Sequence, residues 1–171
     1  MQNMDEEKSV TADSSFLINI YLLGWLHILC EIYKEVLITP TVKRECNKIR
    51  EKLEHMPCIT YVELSKSEEE KISKMLKELK AKFPGEHRGE VECLVVADSR
   101  NIHLLLSDNF APWYLRSKHN LSVKIERGYY AIVEALEINA LKRRNLKKIL
   151  EKMEGVYPKK IIEIIRRKFG G

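Results

Sequence analysis

The clearest strand signal in the sequence is Ile102-His103-Leu104-Leu105-Leu106, which runs directly into Ser107-Asp108-Asn109. A short run of mostly branched aliphatic residues bounded by small polar residues is typical of a buried strand. Similar runs predict four further strands, at residues 9–12, 36–38, 59–62 and 123–125. Because helical patterns separate these runs, we expect an α/β fold with a mainly parallel sheet covered on both faces.

Helix signals lie between the predicted strands. Pro40 suits the first turn of a helix that we expect to reach about Leu53. Residues 67–70 read as a capping box that begins a second helix. Gly89-Glu90 opens a third, which is apolar almost all round and is therefore predicted to be buried. From Gly128 onward the sequence predicts three more helices.

Length and composition describe a single globular domain. The chain has 171 residues, of which 44% are hydrophobic and 32% charged, with only 7 Gly and 5 Pro. These values exclude collagen-like, low-complexity and disordered proteins. The four cysteines show neither CxxC spacing nor a zinc-site pattern, so we expect small core residues in a reducing compartment: Cys30, Cys46, Cys58 and Cys93.

Nothing in the sequence predicts contact with a membrane. The most apolar stretch, residues 16–30, is fifteen residues long, shorter than a bilayer span requires. Residues 5–7 are acidic, whereas a secretory signal starts with basic residues. We therefore expect a cytoplasmic protein.

The net charge of +5 is unevenly distributed. Residues 140–171 contain eleven bases and three acids, so the rest of the chain is mildly acidic. A basic end on an acidic body favours a polyanion partner, and a solvated helical face is the alternative. The arginines expected to contact such a polyanion are Arg143, Arg144, Arg166 and Arg167.

Four acids fall near the edge of the predicted sheet where the strands end. Asp13 and Asp108 each follow a strand, Glu90 begins the buried helix, and Glu45 lies in the helix after the second strand. Carboxylates gathered at one edge raise each other's pKa unless a cation lies between them. An all-oxygen set suits Mg²⁺ or Mn²⁺, and such ions support nuclease chemistry. Separately, each acid has an ordinary alternative as a helix cap, a helix-dipole partner, an exposed helix residue or a turn residue.

Four successive motifs resemble those of a PIN domain, most closely the prokaryotic PIN-like proteins related to VapC toxins. They are residues 10–17 (VTADSSFL), 37–42 (LITPTV) with Glu45, 89–92 (GEVE) and 104–109 (LLLSDN). The resemblance covers roughly residues 8–138, which leaves residues 139–171 as a basic helical extension. The evidence for the resemblance is the order and spacing of the four motifs.

The resemblance implies a three-layer α/β/α fold and a ribonuclease that uses Mg²⁺ or Mn²⁺, in a toxin-like or RNA-processing role. Its implied catalytic acids are Asp13, Glu45, Glu90 and Asp108. Of these, the implied metal ligands are Asp13, Glu90 and Asp108. Helper positions are Ser14, Ser15, Ser107 and Asn109. Two departures from the family pattern are Glu90, where many members have Asp, and Asn109, where related proteins often have a second acid.

Other interpretations remain open at the level of sequence. A catalytically degenerate PIN-like module that binds RNA or a protein is the main alternative to the enzyme. An antitoxin-like partner and a homodimer formed through the apolar first helices are further possibilities. Glu92 lies about 200° around the helix from Glu90, so the two acids are not expected to face one pocket.

Overall fold

The structure is a computed structural model that describes residues 9–170. The acidic residues 5–7, residue 8 at the start of the predicted domain, and residue 171 lie outside the described residues. Five strands form one sheet in the order β3-β2-β1-β4-β5, and every neighbouring pair is parallel. The strands are β1 (Ser9–Ala12), β2 (Glu35–Ile38), β3 (Ile59–Tyr61), β4 (Leu104–Leu106) and β5 (Lys124–Glu126).

Helices connect the strands and follow the last one. Before β3 they are α1 (Ser14–Leu22), α2 (Ile28–Ile32), α3 (Pro40–Glu45) and α4 (Arg50–Glu54). Between β3 and β5 they are α5 (Lys66–Lys80), α6 (Arg88–Ser99) and α7 (Ala111–Lys118). After β5 they are α8 (Gly128–Glu137), α9 (Leu146–Met153) and α10 (Lys159–Phe169). Single 3₁₀ turns precede α4 at Asn47–Ile49 and α9 at Arg143–Asn145.

The sheet and its covering helices form the predicted α/β architecture. Helix α6 packs against β1 and β4 and contacts α3, α5 and α7, while α8 contacts α1, α2 and α10. Residues from the last two helices, including Ile149, Met153 and Ile165, are buried in the same hydrophobic cluster as Val10 of β1. The helices flank the central sheet in a three-layer arrangement.

Strand register sets the position of the candidate site. Ala12 of β1 is paired with Leu106 of β4, so the next residues, Asp13 and Ser107, leave the sheet side by side. The Asp13 N–H still donates to the Leu106 carbonyl at 3.1 Å, which extends the ladder by one bond. The carboxyl ends of two central strands therefore present their polar residues at one point.

Two local predictions are wrong. The helix that begins at Pro40 ends at Glu45, because the backbone of Cys46 (φ −92°, ψ 21°) leaves the helical region. The capping box uses Ser65 and Glu68, whose side chains each accept a hydrogen bond from the other's backbone N–H. The capping box therefore has the expected three-residue spacing but begins at Ser65, two residues before the predicted position.

Cys30 and Cys58 form a disulfide, with their Cα atoms 5.3 Å apart. The expectation of four reduced core cysteines is wrong for this pair, whereas Cys46 and Cys93 are free and buried as predicted. The Cys58 carbonyl accepts a hydrogen bond from Val36 N–H at 2.8 Å, which places Cys58 beside the start of β2. Since α2 leads into β2, the strand pairing brings together two cysteines 28 residues apart.

Across residues 9–170, the structure contains no helix with the length and apolar character needed to cross a bilayer.

Candidate active site

Asp13 is the buried centre of the candidate site. It follows β1 and caps α1, where its Oδ1 accepts hydrogen bonds from Phe16 N–H at 3.0 Å and the Ser15 hydroxyl at 2.7 Å. The Ser107 hydroxyl donates to Oδ2 from the end of β4. A helix N-cap requires an extended backbone and a short acceptor side chain, so the β1-to-α1 turn itself fixes this carboxylate.

The environment of Asp13 disfavours its charged form. The residue is only 1% exposed, and burial raises its pKa from the ordinary 3.8 to about 6. Hydrogen bonds from Ser107, Phe16 and Ser15 oppose this rise, and the negative charge of Asp108 adds to it. Desolvation therefore outweighs three hydrogen bonds, and a nearby cation would favour the charged carboxylate.

Glu90 lies in the first turn of α6 and is also buried. The Asn109 side-chain amide donates to its Oε1 at 2.9 Å, and the His87 Nδ1 lies 3.3 Å from its Oε2. Burial raises the pKa of Glu90, the charge of Asp13 raises it further, and His87 and Asn109 act in the opposite direction. Asp13 and Glu90 thus form an electrostatically coupled pair contributed by different elements.

Glu45, in the last turn of α3, is the third acid near Asp13 and Glu90. It is exposed, and its Oε1 accepts a hydrogen bond from the Ser14 hydroxyl at 3.1 Å. The same oxygen lies so close to Gly89 that a side-chain carbon there would overlap it. Gly89 therefore allows Glu45 to approach the start of α6, where Glu90 is the next residue.

Asp108 faces a different set of partners. Its Oδ2 accepts hydrogen bonds from the Asn19 amide at 2.9 Å and the Tyr157 hydroxyl at 3.1 Å. Its Oδ1 accepts from Gly128 N–H at the start of α8, at 2.8 Å. The carboxylate links α1, the end of β4 and the C-terminal helices, while its neighbour Asn109 turns toward Glu90.

Glu92 has a structural role that agrees with its predicted orientation away from Glu90. It is 1% exposed and accepts hydrogen bonds from Thr41 N–H at 2.9 Å and the Thr41 hydroxyl at 2.6 Å. Arg88 donates to it through Nε at 2.9 Å. Glu92 therefore joins the first turn of α3 to α6, and its charge is compensated.

The structure brings most of the sequence-derived residues into one region. The charge of Asp13 acts on Glu90, and the charge of Asp108 acts on Asp13. The helper positions that contact Asp13, Glu45 or Glu90 are Ser14, Ser15, Ser107 and Asn109. Asn19 and Tyr157, which bind Asp108, were not anticipated. Tyr157 lies 49 residues from Asp108 in the sequence, and no local pattern indicates such a pair.

Three of the four arginines expected to contact RNA have other contacts. Arg143 donates to the carbonyls of Leu136 and Glu137 at the end of α8, at 2.8 and 2.9 Å. Arg166 and Arg167 lie 2.6 and 3.4 Å from carboxylate oxygens of one acid, Glu163. Arg144 is exposed. Their binding to RNA stays a prediction.

The donor chemistry of the site suits a hard cation. Within residues 9–170, no three His, Cys, Asp or Glu side chains are arranged as a ready-made metal cluster. Among these residues, no Lys or Arg forms an ion pair with Asp13 or Glu90. Buried carboxylates of raised pKa, with Glu45 beside them, supply oxygen ligands of the type that Mg²⁺ and Mn²⁺ prefer.

The fold is of the nuclease type, a parallel α/β sheet with acids at its carboxyl edge. The DUF3368 family model, described as a PIN domain, matches residues 9–165, so the chain belongs to the PIN domain family. The match extends through α9 and into α10. No curated protein matches the chain.

Proposed function

We propose that the protein is a ribonuclease dependent on Mg²⁺ or Mn²⁺. The observation that carries this proposal is the pair of buried acids, Asp13 and Glu90, for which no cationic Lys or Arg partner is found among residues 9–170. The charge of Asp13 raises the pKa of Glu90, so a divalent cation between them would relieve an existing repulsion. Family membership and the basic C-terminal segment support RNA as the substrate.

Asp13 and Glu90 would hold the ion, with Glu45 at the exposed side of the group. A bound divalent ion supplies a water of lowered pKa and neutralises phosphoryl oxygens. The chain's own contribution is positioning. Ser15 and Ser107 orient the two oxygens of Asp13, and Asn109 fixes one oxygen of Glu90.

The direct test compares cleavage of a labelled RNA by chelator-stripped protein after addition of Mg²⁺, Mn²⁺ or Ca²⁺. We expect activity with Mg²⁺ and Mn²⁺ but not with Ca²⁺, because Ca²⁺ does not enforce tight octahedral geometry. Asp13→Asn and Glu90→Gln should abolish cleavage. Asp98→Asn, at the far end of α6, is the matched control and should leave it unchanged. Full activity in excess chelator would refute the proposal.

A second candidate function is a binding module without catalysis. It is favoured by one observation: Asn109 occupies the position beside Glu90, while the carboxylate of Asp108 is held by Asn19, Gly128 and Tyr157. With Asn109 neutral and Asp108 held elsewhere, the site would have too few negative carboxylates to balance the positive charge of two divalent ions. Calorimetric titration with Mn²⁺ separates the candidates, because the binding module predicts no metal uptake at the acids.

A further inference from the structure

Phe110 is a large apolar side chain that remains exposed beside the candidate active site. It is 61% exposed, although it directly follows Asn109, whose amide holds Glu90. Isolated exposed apolar residues are common on protein surfaces. Phe110 differs because it belongs to an aromatic group that borders the acids.

The aromatic group consists of Phe110, Phe83 and Tyr114. The Phe110 and Phe83 rings lie 6.3 Å apart between centroids, and the Phe83 and Tyr114 rings lie 5.3 Å apart in an edge-on arrangement. Phe83 also lines a cavity of about 510 Å³ with Leu79 and Pro84. One wall of this cavity is His87, which contacts Glu90, so the cavity adjoins the candidate active site.

Two lysines lie near one ring of this group, that of Tyr114, and one of them, Lys118, is also paired with Glu78 at 3.6 Å. Lys82 and Lys118 hold their Nζ atoms 5.0 and 5.9 Å from the centre of the Tyr114 ring. Lys80 lines the cavity with Arg88, which is paired with Glu92, and Glu86 is the acid among the residues lining it. Stacking surfaces interleaved with positive charge are the combination that proteins use to bind unpaired nucleotides.

We propose that Phe110 and the Phe83 cavity form a subsite for an unpaired nucleobase next to the scissile phosphate. Phe110 stacks on the base, and Lys80 and Lys82 lie near the adjoining phosphates. The base must be unpaired, because a base paired in a duplex stays in its stack and does not reach the ring. This inference rests on the proposed function for its choice of RNA.

The experiment measures binding of a short fluorescent single-stranded RNA and an abasic strand of the same length and charge. Metal is removed with chelator, so that binding is observed without cleavage. For Phe110→Ala we expect about 5- to 150-fold weaker binding of the RNA, the range that stacking of one base represents, and no change for the abasic strand. Phe110→Trp should retain affinity, whereas Phe110→Leu, which lacks a π face, should not.

Ile138→Ala is the matched control, because Ile138 is 56% exposed and lies at the end of α8. Undiminished RNA binding by Phe110→Ala, or equal losses for both strands, would overturn the subsite. Cleavage assays separate this inference from the proposed function. If RNA binding depends on Phe110 but the protein shows no cleavage with any added metal, the subsite is sustained and the proposed ribonuclease activity is refuted. If cleavage is normal but Phe110→Ala binds RNA as tightly as the wild type, the subsite is refuted and the ribonuclease activity is sustained.

Discussion

Replacing Asp13 with Asn should stabilise the protein at neutral pH, although it removes the central acid of the site. Burial raises the pKa of Asp13 from 3.8 to about 6, so the folded protein holds this proton where the unfolded chain has lost it. The contribution of Asp13 to the free energy of unfolding therefore falls as pH rises from about 4 to about 6, and then levels off. At about 1.36 kcal/mol per pH unit, the ionised carboxylate costs about 3 kcal/mol above that range.

The hydrogen bonds of Asp13 reduce the expected gain. An Asn side chain keeps the oxygen that accepts from Phe16 and Ser15, but its amide group would face the Ser107 hydroxyl. That hydroxyl must rotate to become an acceptor, and it already accepts from Asn109 N–H at 3.1 Å. A loss of about 1 kcal/mol at this contact leaves Asp13→Asn about 2 kcal/mol more stable near pH 8 and about 1 kcal/mol less stable near pH 3.

Urea unfolding followed by circular dichroism, in chelator and across this pH range, measures the difference between the two proteins. Asp98→Asn is the control and should follow the wild-type curve. Addition of Mn²⁺ should stabilise the wild type and leave Asp13→Asn unchanged, because a ligand that binds only the folded state adds to its stability. If the stability difference between wild type and Asp13→Asn stays flat between pH 4 and 7, burial does not control this carboxylate and the reasoning fails.

Three further outcomes are expected. Asn109→Asp should bind Mn²⁺ more tightly in calorimetry and cleave RNA faster, whereas Asp108→Asn should mainly lower the melting temperature; the opposite pattern would make Asp108 the ligand. Glu68→Gln should lose about 3 kcal/mol at pH 7, because the Arg100 guanidinium, which donates two hydrogen bonds to the Glu68 carboxylate, lowers its pKa to about 2; this penalty should shrink as pH falls from about 4.5 toward 2 in urea titrations. Reduction of the Cys30–Cys58 disulfide should cost about 3 to 4 kcal/mol of unfolding free energy, measured with and without dithiothreitol; no difference would mean that the bond does not form in solution.

Local patterns predicted the strands because each lies in or overlaps a short run rich in apolar residues. The two central strands β1 and β4 also end in small polar residues, at 13–15 and 107–109. Their parallel pairing then places Asp13 beside Ser107, so the centre of the candidate site also follows from sequence. The position of Glu90 follows from Gly89-Glu90 at the start of a helix that is apolar on all sides.

Contacts between distant segments were not predictable in this way. The partners of Asp108 come from α1, from the start of α8 and from the residue before Pro158, and no periodicity links them. The disulfide is a similar case, because cysteine spacing carries no information until β2 and β3 are paired. The exposure of Phe110 depends on where the chain turns after β4, which composition does not reveal.

The position of Tyr157 constrains how this chain can be recombined with its relatives. Its hydroxyl lies where a side chain on Gly128 would be, and it holds Asp108 together with Asn19. A chimaera that takes its last two helices from another PIN protein must therefore also bring compatible residues at positions 19, 108 and 128. We expect these four positions to be inherited as a unit. A foreign C-terminal segment grafted alone would leave the half-buried carboxylate of Asp108 without its Tyr157 partner, next to Asn109.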